Sequence, residues 1–267
     1  MSLETITPVA NASDIRAAFE RDGYYHAKGV FDAAALQQIE GSYDAIVRQL
    51  LSSEDRIDAT WDGSETAKLA RADDVILHTH NVQRYSRTWL DAFLAPSFLG
   101  VVGAILGPDI ILHHSELFQK PSENGPPFPM HQDWPYFPTA NDSMIAGIIH
   151  VSDATDEMGC LRVYSGSHRW GRIEGANGPA QNDVLDAHPI EDANVIEAEA
   201  GDVIFIHYFT LHGSMPNRSD KTRKSILCQL YAGDDHIEAG NEHPDEQLVL
   251  RGWNHHISRE AAGKAKS

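Results

Sequence analysis

The segment FPMHQDWPYFP, residues 128–138, places a histidine and an aspartate two positions apart among prolines and aromatic residues. In an extended chain, residues i and i+2 project from the same face. His131 and Asp133 can therefore hold one metal ion between them. The His-x-Asp pattern decides nothing by itself, because HPD at residues 243–245 repeats it. That second pair has no strand pattern to carry it, so the first is the stronger candidate.

A metal site of two histidines and one carboxylate needs a second histidine from a different strand. The segment GDVIFIHYFTLHGS, residues 201–214, ends an apolar run at His212, directly before a glycine. This position suits a ligand at the mouth of a barrel. His207 is the alternative, but it lies five residues earlier and faces the opposite side of a regular strand. We therefore predict His212 as the second histidine ligand.

Arg223 lies eleven residues beyond His212, across the turn-rich segment MPNRSDKT, and begins the next apolar run. A hairpin there would return its guanidinium towards the metal. Arginine presents a rigid fork of donors to a carboxylate, which suits a dicarboxylate co-substrate that chelates the metal at its other end. Ser214 is placed to add a hydroxyl to the same carboxylate.

The periodicity of the chain divides it into a helical part and a strand-rich part. Helical patterns cover residues 13–23, 32–51 and 88–107, with Pro96 breaking the last one and Gly107 closing it. After Gly107 the period shifts towards two. Strand patterns then cover residues 109–119, 143–154, 160–168, 202–214 and 223–232. This order predicts one α+β domain whose strands form a sandwich or jelly roll, with the N-terminal helices packed on one sheet.

The single predicted domain spans residues 1–267, with a helical part to about residue 106 and a strand core over about 107–235. Residues 236–267 show no strong pattern and are predicted as loop with a possible short helix. The remaining segments between the strands, including residues 169–194, are predicted as loops.

The formal net charge of −18 argues against nucleic acid and anionic membrane surfaces as partners, since both are bound through clustered Lys and Arg. Two cysteines provide no disulfide framework and suit a reducing compartment. No apolar run approaches the length of a membrane span, and the N-terminus lacks the pattern of a signal peptide. We expect a cytoplasmic protein that acts on a small molecule; its oligomeric state is left open.

Three blocks of the sequence resemble the phytanoyl-CoA dioxygenase family of Fe(II)/2-oxoglutarate oxygenases. They are PMHQDWPYFP, GCLRVYSGSHRWG and GDVIFIHYFTLHGSMPNRSDKTRKSI, and FERDGYYHAKGVFD is similar to the opening of that family. The resemblance spans most of residues 15–232. It implies a double-stranded β-helix core of the cupin-like jelly-roll type.

The resemblance also implies cofactors and residue roles. Fe(II), 2-oxoglutarate and O₂ would act together, with His131, Asp133 and His212 as iron ligands. Arg223 and Ser214 would hold the C5 carboxylate of 2-oxoglutarate. A further polar contact to 2-oxoglutarate is expected from HNVQRY, where Asn81 and Gln83 are the candidates.

The aromatic residues after the iron ligands have two interpretations. Trp134, Tyr136 and Phe137 can wall an apolar substrate pocket, or they can pack under the barrel rim as ordinary core. Gln132, which points away from His131 in an extended chain, is predicted to be structural.

The expected activity is hydroxylation of an unactivated C–H bond with release of succinate and CO₂. Halogenating members of the family replace the ligand carboxylate, whereas this chain retains Asp133. Desaturation, cyclisation or epimerisation on the same scaffold remain alternatives. So do a zinc hydrolase, which shares the ligand set, and a non-catalytic cupin-like binding protein.

Overall fold

The strands pair into two antiparallel sheets in the computed structural model, which describes residues 11–53, 78–122, 125, 127–176, 183–239 and 244–263. The larger sheet has the order β1-β8-β5-β10-β3-β11, and β2 also pairs with β3. Its strands are β1 (Tyr24–Ala27), β2 (His78–His80), β3 (Ile110–Lys120), β5 (Ile145–His150), β8 (Val203–His207), β10 (Arg223–Ala232) and β11 (Leu248–Arg251). The smaller sheet has the order β4-β9-β6-β7. Its strands are β4 (Phe128–His131), β6 (Leu161–Val163), β7 (Asn194–Ile196) and β9 (His212–Ser214). The two sheets form the predicted jelly roll.

Four helices cover the outer face of the larger sheet: α1 (Ala12–Asp22), α2 (Ala33–Ser52), α3 (Arg87–Phe93) and α4 (Pro96–Leu106). Asp32 caps α2 by accepting a hydrogen bond from the Ala35 amide at 2.8 Å. Pro96 begins α4, where a missing amide hydrogen costs nothing. Phe98 of α4 packs on Phe205 of β8 with ring centroids 5.5 Å apart. The helices and this sheet face therefore share one apolar core.

Two short helices lie outside this layer, α5 (Asp183–Asp186) within the segment predicted as a loop and α6 (Arg259–Gly263) near the C-terminus. No single described helix is long and apolar enough to cross a membrane. Only α3 and α4 taken together, bent by 50° at their junction, reach that length and composition.

The structure departs from the sequence prediction at three places. The apolar run 202–214 is not one strand, because β8 joins the larger sheet and β9 the smaller one. Residues 248–251 form β11 on the edge of β3, although the C-terminal stretch was predicted as loop and short helix. Helix α1 begins at Ala12, one residue before the predicted pattern, and is capped by Asn11, whose side chain accepts from the Ser13 amide. The first two depend on contacts between distant residues, whereas the cap of α1 is local.

Strand register determines which side chains face the space between the sheets. Leu117 and Cys228 belong to the helix-covered core. Because side chains alternate along a strand, Glu116 and Lys120 of β3 and Gln229 of β10 project to the other side, between the sheets. A register shift between Gln229 and the next residue accommodates the extra residue of β3. This inner face carries the candidate site.

Candidate metal centre and anion pocket

The three predicted iron ligands lie together between the sheets. β4 pairs with β9 so that His131 is directly opposite His212, and their ring centroids are 4.2 Å apart. Asp133 Oδ1 lies 3.3 Å from Nε2 of His131 and 3.5 Å from Nε2 of His212. All three side chains are buried. One potential ligand atom from each residue lies within 4.8 Å of the other two.

Hydrogen bonds orient these side chains for a cation. Nδ1 of His131 donates to the Pro129 carbonyl at 2.8 Å, and Nδ1 of His212 donates to the Thr210 carbonyl at 2.8 Å. A carbonyl only accepts, so both Nε2 atoms keep their lone pairs for a metal. Asp133 Oδ2 accepts from Gln229 Nε2 at 3.1 Å, which leaves Oδ1 towards the imidazoles. The donor set fits a divalent ion such as Fe(II), with open positions left for other ligands.

The protonation of His212 agrees with this arrangement. Burial, followed by the neighbouring His131, lowers the pKa of His212 to about 4. The imidazole is therefore neutral at neutral pH, as a metal ligand must be.

The turn between β8 and β9 fixes the position of the ligands. The Asp133 amide donates to the Tyr208 carbonyl at 2.9 Å, and the Leu211 amide donates to Ser167 Oγ at 2.8 Å. Gln132 Nε2 donates to the Phe209 carbonyl at 2.6 Å, so Gln132 is structural, as predicted. These bonds tie the loop after β4 to the residues that precede His212.

His207, the alternative ligand, lies elsewhere. It ends β8 in the larger sheet, and its Nε2 donates to the Asp142 carbonyl at 3.1 Å. The argument from strand alternation does not apply to this pair, because the chain changes sheets between the two histidines. The other His-x-Asp pair is only partly described: His243 lies outside the described residues, and Asp245 accepts from the Tyr231 hydroxyl at 3.0 Å.

An anion pocket is formed by Arg223 and by Lys120, a residue that the sequence analysis missed. The two are direct cross-strand partners on β10 and β3. Lys120 Nζ donates to Ser214 Oγ at 2.7 Å and to the Met215 carbonyl at 2.6 Å. Arg223 Nη1 donates to the Gly159 carbonyl, while its buried Nε has no partner in the described structure. Lys120 thus links the two predicted residues, since it bonds to Ser214 and is the cross-strand partner of Arg223.

The electrostatics of this pocket favour an anionic ligand. Among the described residues, neither Lys120 nor Arg223 forms an ion pair with a carboxylate. Burial lowers the pKa of Arg223 to about 10 and holds the pKa of Lys120 well below its usual range, with the Arg223 charge adding to the effect on Lys120. A buried lysine beside a half-buried arginine is costly unless an anion offsets the two charges. The free carboxylate of 2-oxoglutarate fits this requirement.

Gly159 closes the wall of the pocket in a conformation that suits only glycine. Its φ is 67°, and a Cβ would lie 2.2 Å from the Met215 carbonyl oxygen and 3.1 Å from Lys120 Nζ. The glycine at position 159 of the resembling block is thereby explained. The predicted strand pattern ended at residue 119, so Lys120 was not considered as a site residue.

Asn81 and Gln83, the two candidates for a further 2-oxoglutarate contact, bond to each other and to β3. Gln83 Nε2 donates to Asn81 Oδ1 at 3.1 Å, and Gln83 Oε1 accepts from Ser115 Oγ at 2.5 Å. Ser115 is five residues from Lys120 on β3, so its side chain projects to the opposite face of the strand. Both residues serve to anchor the chain after β2 on β3, and neither contacts the anion pocket through these bonds.

The aromatic residues 134–137 divide between the two interpretations. Phe137 is buried in a cluster with Ile111, Met144, Tyr208, Phe209 and Tyr231, which makes it core. Trp134 and Tyr136 are half-buried at the edge of this cluster, and the Arg172 guanidinium lies 5.2 Å from the Trp134 ring centre. Only these two remain available to line a pocket.

Comparison with known proteins adds family information to this geometry. The family model for phytanoyl-CoA dioxygenase (PhyH) matches residues 19–225. The human peroxisomal phytanoyl-CoA dioxygenase is 27% identical over 236 residues, covering 83% of this chain and 68% of the human protein.

Solved structures share the fold at lower identity. The non-haem α-ketoglutarate-dependent epimerase SnoN from nogalamycin biosynthesis superposes with a TM-score of 0.71 at 20% identity, covering 90% of this chain and 98% of its own. EctD from S. alaskensis with bound Fe gives a TM-score of 0.70 at 19% identity, covering 94% and 87%. Both likenesses establish the jelly-roll fold.

Proposed function

Because the chain belongs to the phytanoyl-CoA dioxygenase family and is a non-haem Fe(II)- and 2-oxoglutarate-dependent dioxygenase, we propose that it hydroxylates an unactivated C–H bond of a small-molecule metabolite. 2-Oxoglutarate and O₂ are consumed, and succinate and CO₂ are released. One oxygen atom of O₂ enters succinate and the other enters the product.

The geometry supports the following residue roles. His131, Asp133 and His212 hold the iron, and the hydrogen bonds at Pro129, Thr210 and Gln229 keep the three ligand atoms in place. Iron together with 2-oxoglutarate supplies the oxidising chemistry when bound. The protein contributes orientation and a buried setting for the reaction.

The co-substrate role belongs to the anion pocket. Lys120, Ser214 and Arg223 take the C5 carboxylate of 2-oxoglutarate, where two cations and one hydroxyl meet one anion. Arg223 offers paired donors, and Lys120 adds a compact point charge.

The observation that carries this proposal is the pairing of a 2-His-1-carboxylate site with two adjacent cations, the buried Lys120 and the half-buried Arg223. A zinc hydrolase would explain the first but would leave Lys120 and Arg223 without an anionic ligand. A non-catalytic cup would have no need for two Nε2 atoms and a carboxylate oxygen placed close enough to bind one cation. A 2-oxoglutarate oxygenase uses both features.

The proposed substrate is a small metabolite, such as an amino-acid derivative or a natural-product intermediate. Trp134 and Tyr136 supply partly accessible aromatic surface for it. The human relative is named for phytanoyl-CoA. The phosphates of a CoA thioester favour basic surroundings, whereas this chain carries a net charge of −18. Retention of the Asp133 carboxylate favours oxygen insertion over halogenation.

The proposal also covers the domain organisation of the chain and its cellular compartment. We place the whole activity in one domain over residues 1–267, because strands from residues 24–27 to 248–251 share one sheet. A cytoplasmic location is supported by Cys160 and Cys228, which are both free and buried.

The experiment is a succinate-release screen of purified protein with Fe(II), ascorbate, 2-oxoglutarate and a metabolite library under air. Substrate-dependent succinate must be matched by a product that has gained one oxygen atom, as measured by mass spectrometry. Omission of iron or of O₂ must abolish both signals. Turnover of a substrate without 2-oxoglutarate consumption would reject the proposal, and a product that has lost two hydrogens would replace hydroxylation by desaturation.

A further inference from the structure

A second group of metal-ligating side chains lies on the inner face of the larger sheet. β2 pairs with β3 so that His78 is opposite Phe118 and His80 is opposite Glu116. His78 Nε2 lies 3.4 Å from Glu116 Oε2, and His80 Nδ1 lies 3.1 Å from Glu116 Oε1. Ligand atoms of His78, His80 and Glu116 all lie within 4.8 Å of one another. None of these residues belongs to the iron site or to the anion pocket.

A third imidazole reaches the same carboxylate from β3 itself. Nε2 of His114 lies 3.1 Å from Glu116 Oε1, and the His114 side chain is buried. Three imidazoles therefore surround one carboxylate, and each of its oxygens faces at least one ring nitrogen. The sequence analysis did not indicate this cluster of ligands, whose residues lie in HTH at 78–80 and HHSE at 113–116.

Glu116 is the charge that the cluster must neutralise. The residue is 6% exposed, and no Lys or Arg of the described residues forms an ion pair with it. A buried carboxylate without a cation is costly. The rings of His78 and His80 stand edge to face with centroids 4.4 Å apart, so protonating both would bring two positive charges together. A cation held between neutral imidazoles removes this conflict.

We propose that His78, His80 and Glu116 form a second divalent-cation site, occupied by Zn²⁺, with His114 as an additional ligand. Two imidazoles and one carboxylate are a common zinc donor set. Zinc bonds of about 2.0–2.2 Å to nitrogen and oxygen in tetrahedral geometry set neighbouring ligand atoms about 3.3–3.6 Å apart. The nitrogen-to-oxygen distances of 3.1 to 3.4 Å are close to this spacing and to the 3.3 and 3.5 Å of the iron site.

The position of the site indicates a structural task. The cation would join β2, a strand of three residues, to the long strand β3, and so fix the short strand by which the chain returns to the larger sheet. Entry is available through His80, whose side chain is 42% exposed. The site does not depend on the oxygenase reaction, since it shares no ligand with the iron centre.

The test counts zinc bound per chain after equilibrium dialysis against Zn²⁺ alone, by elemental analysis. The wild-type protein should bind two equivalents, one in each site. The variant Asp133→Ala/His212→Ala should keep one, and His78→Ala/His80→Ala should also keep one. Combining all four substitutions should abolish binding. Zinc at 100 times its Kd should raise the Tm of Asp133→Ala/His212→Ala by about 5 to 10 °C and leave the fourfold variant unchanged.

Two further variants serve as controls. One tests whether zinc is lost without loss of folding, and the other whether removing any histidine lowers the zinc count. Glu116→Gln keeps the size and an acceptor oxygen but removes the charge, so it should lose one zinc while its circular dichroism stays that of the wild type. His256→Ala removes an exposed imidazole, bonded to the Asp234 carbonyl, and should still bind two zinc ions. A wild-type count of one, with none left in Asp133→Ala/His212→Ala, overturns the proposal. So does a second zinc that persists in both His78→Ala/His80→Ala and Glu116→Gln.

Discussion

Arg223 and Lys120 are cross-strand neighbours that present different kinds of positive charge to one pocket. The arginine contributes a planar fork, and the lysine a point charge held by Ser214 and the Met215 carbonyl. Neither side chain contacts the iron ligands through the hydrogen bonds that the structure describes. Co-substrate affinity and iron affinity should therefore be separable by mutation at these positions.

We predict that Arg223→Ala raises the KM for 2-oxoglutarate by roughly 10- to 100-fold, because it removes charge-assisted hydrogen bonds of about 1.5–3 kcal/mol. Iron binding should stay close to that of the wild type. The measurement is succinate release against 2-oxoglutarate concentration, with iron affinity determined separately. Arg223→Lys, which keeps the charge but loses the fork, serves as the matched variant and should give an intermediate KM. An unchanged KM in Arg223→Ala would remove this residue from the pocket.

We also predict that His212→Ala abolishes turnover and lowers iron affinity, whereas His207→Ala retains iron. The two histidines are five residues apart but lie in different sheets, and only His212 faces His131 across the β4–β9 pair. Iron binding and succinate release should be measured for both variants at equal folded fraction. Full activity in His212→Ala would transfer the ligand role to His207.

At the scale of elements, the sequence predicted those helix ends that depend on residues next to each other in the chain. The helix start at Asp32, the break at Pro96 and the closing Gly107 were all evident from the sequence and are found in the structure. The division of residues 202–214 into β8 and β9 was not predictable, because an apolar run cannot show to which sheet each half belongs. The strand β11 was not predicted for the same reason, since its partner among the described residues is the distant strand β3.

In the candidate site, too, the sequence identified residues in distinctive local segments and missed a residue whose role depends on a distant partner. His131, Asp133, His212, Ser214 and Arg223 lie in segments with distinctive spacing, and the sequence identified them together. Lys120 escaped notice because its role depends on a cross-strand partner more than 100 positions away. Asn81 and Gln83 were assigned to the co-substrate on the resemblance, without knowledge of the strand face to which they bond.

The aromatic segment after the iron ligands allows a prediction that separates fold stability from substrate binding. Phe137→Ala should lower the free energy of unfolding by about 3–5 kcal/mol, since it leaves a cavity in a closely packed aromatic cluster. Trp134→Ala should cost less stability, because Trp134 is half-buried, and should instead raise the KM for the metabolite substrate. Urea unfolding and steady-state kinetics separate the two effects. Equal losses of stability in both variants would contradict the assignment of Phe137 to the core and of Trp134 to the substrate pocket.

At the scale of the whole molecule, stability should depend on pH through buried neutral histidines. His150 on β5 is 2% exposed, and neither of its ring nitrogens has a hydrogen-bond partner in the described structure. Burial, followed by the charge of Arg223, lowers the pKa of His150 to about 3. The folded protein therefore keeps this imidazole neutral where an unfolded chain, with a pKa of about 6.5, would protonate it.

Because the unfolded state then binds the extra proton, the contribution of His150 to stability is complete above about pH 6.5 and declines as the pH falls towards 3. The free energy of unfolding should fall with a slope of about 1.4 kcal/mol per pH unit for this one group. Urea unfolding of the metal-free protein between pH 7 and 4.5, compared with His150→Leu, isolates that slope, since all other titrating groups are common to both proteins. The variant should show a shallower dependence by this amount. Parallel pH profiles would mean that His150 takes up a proton in the folded state, and the buried, unpaired environment described for it would then be wrong.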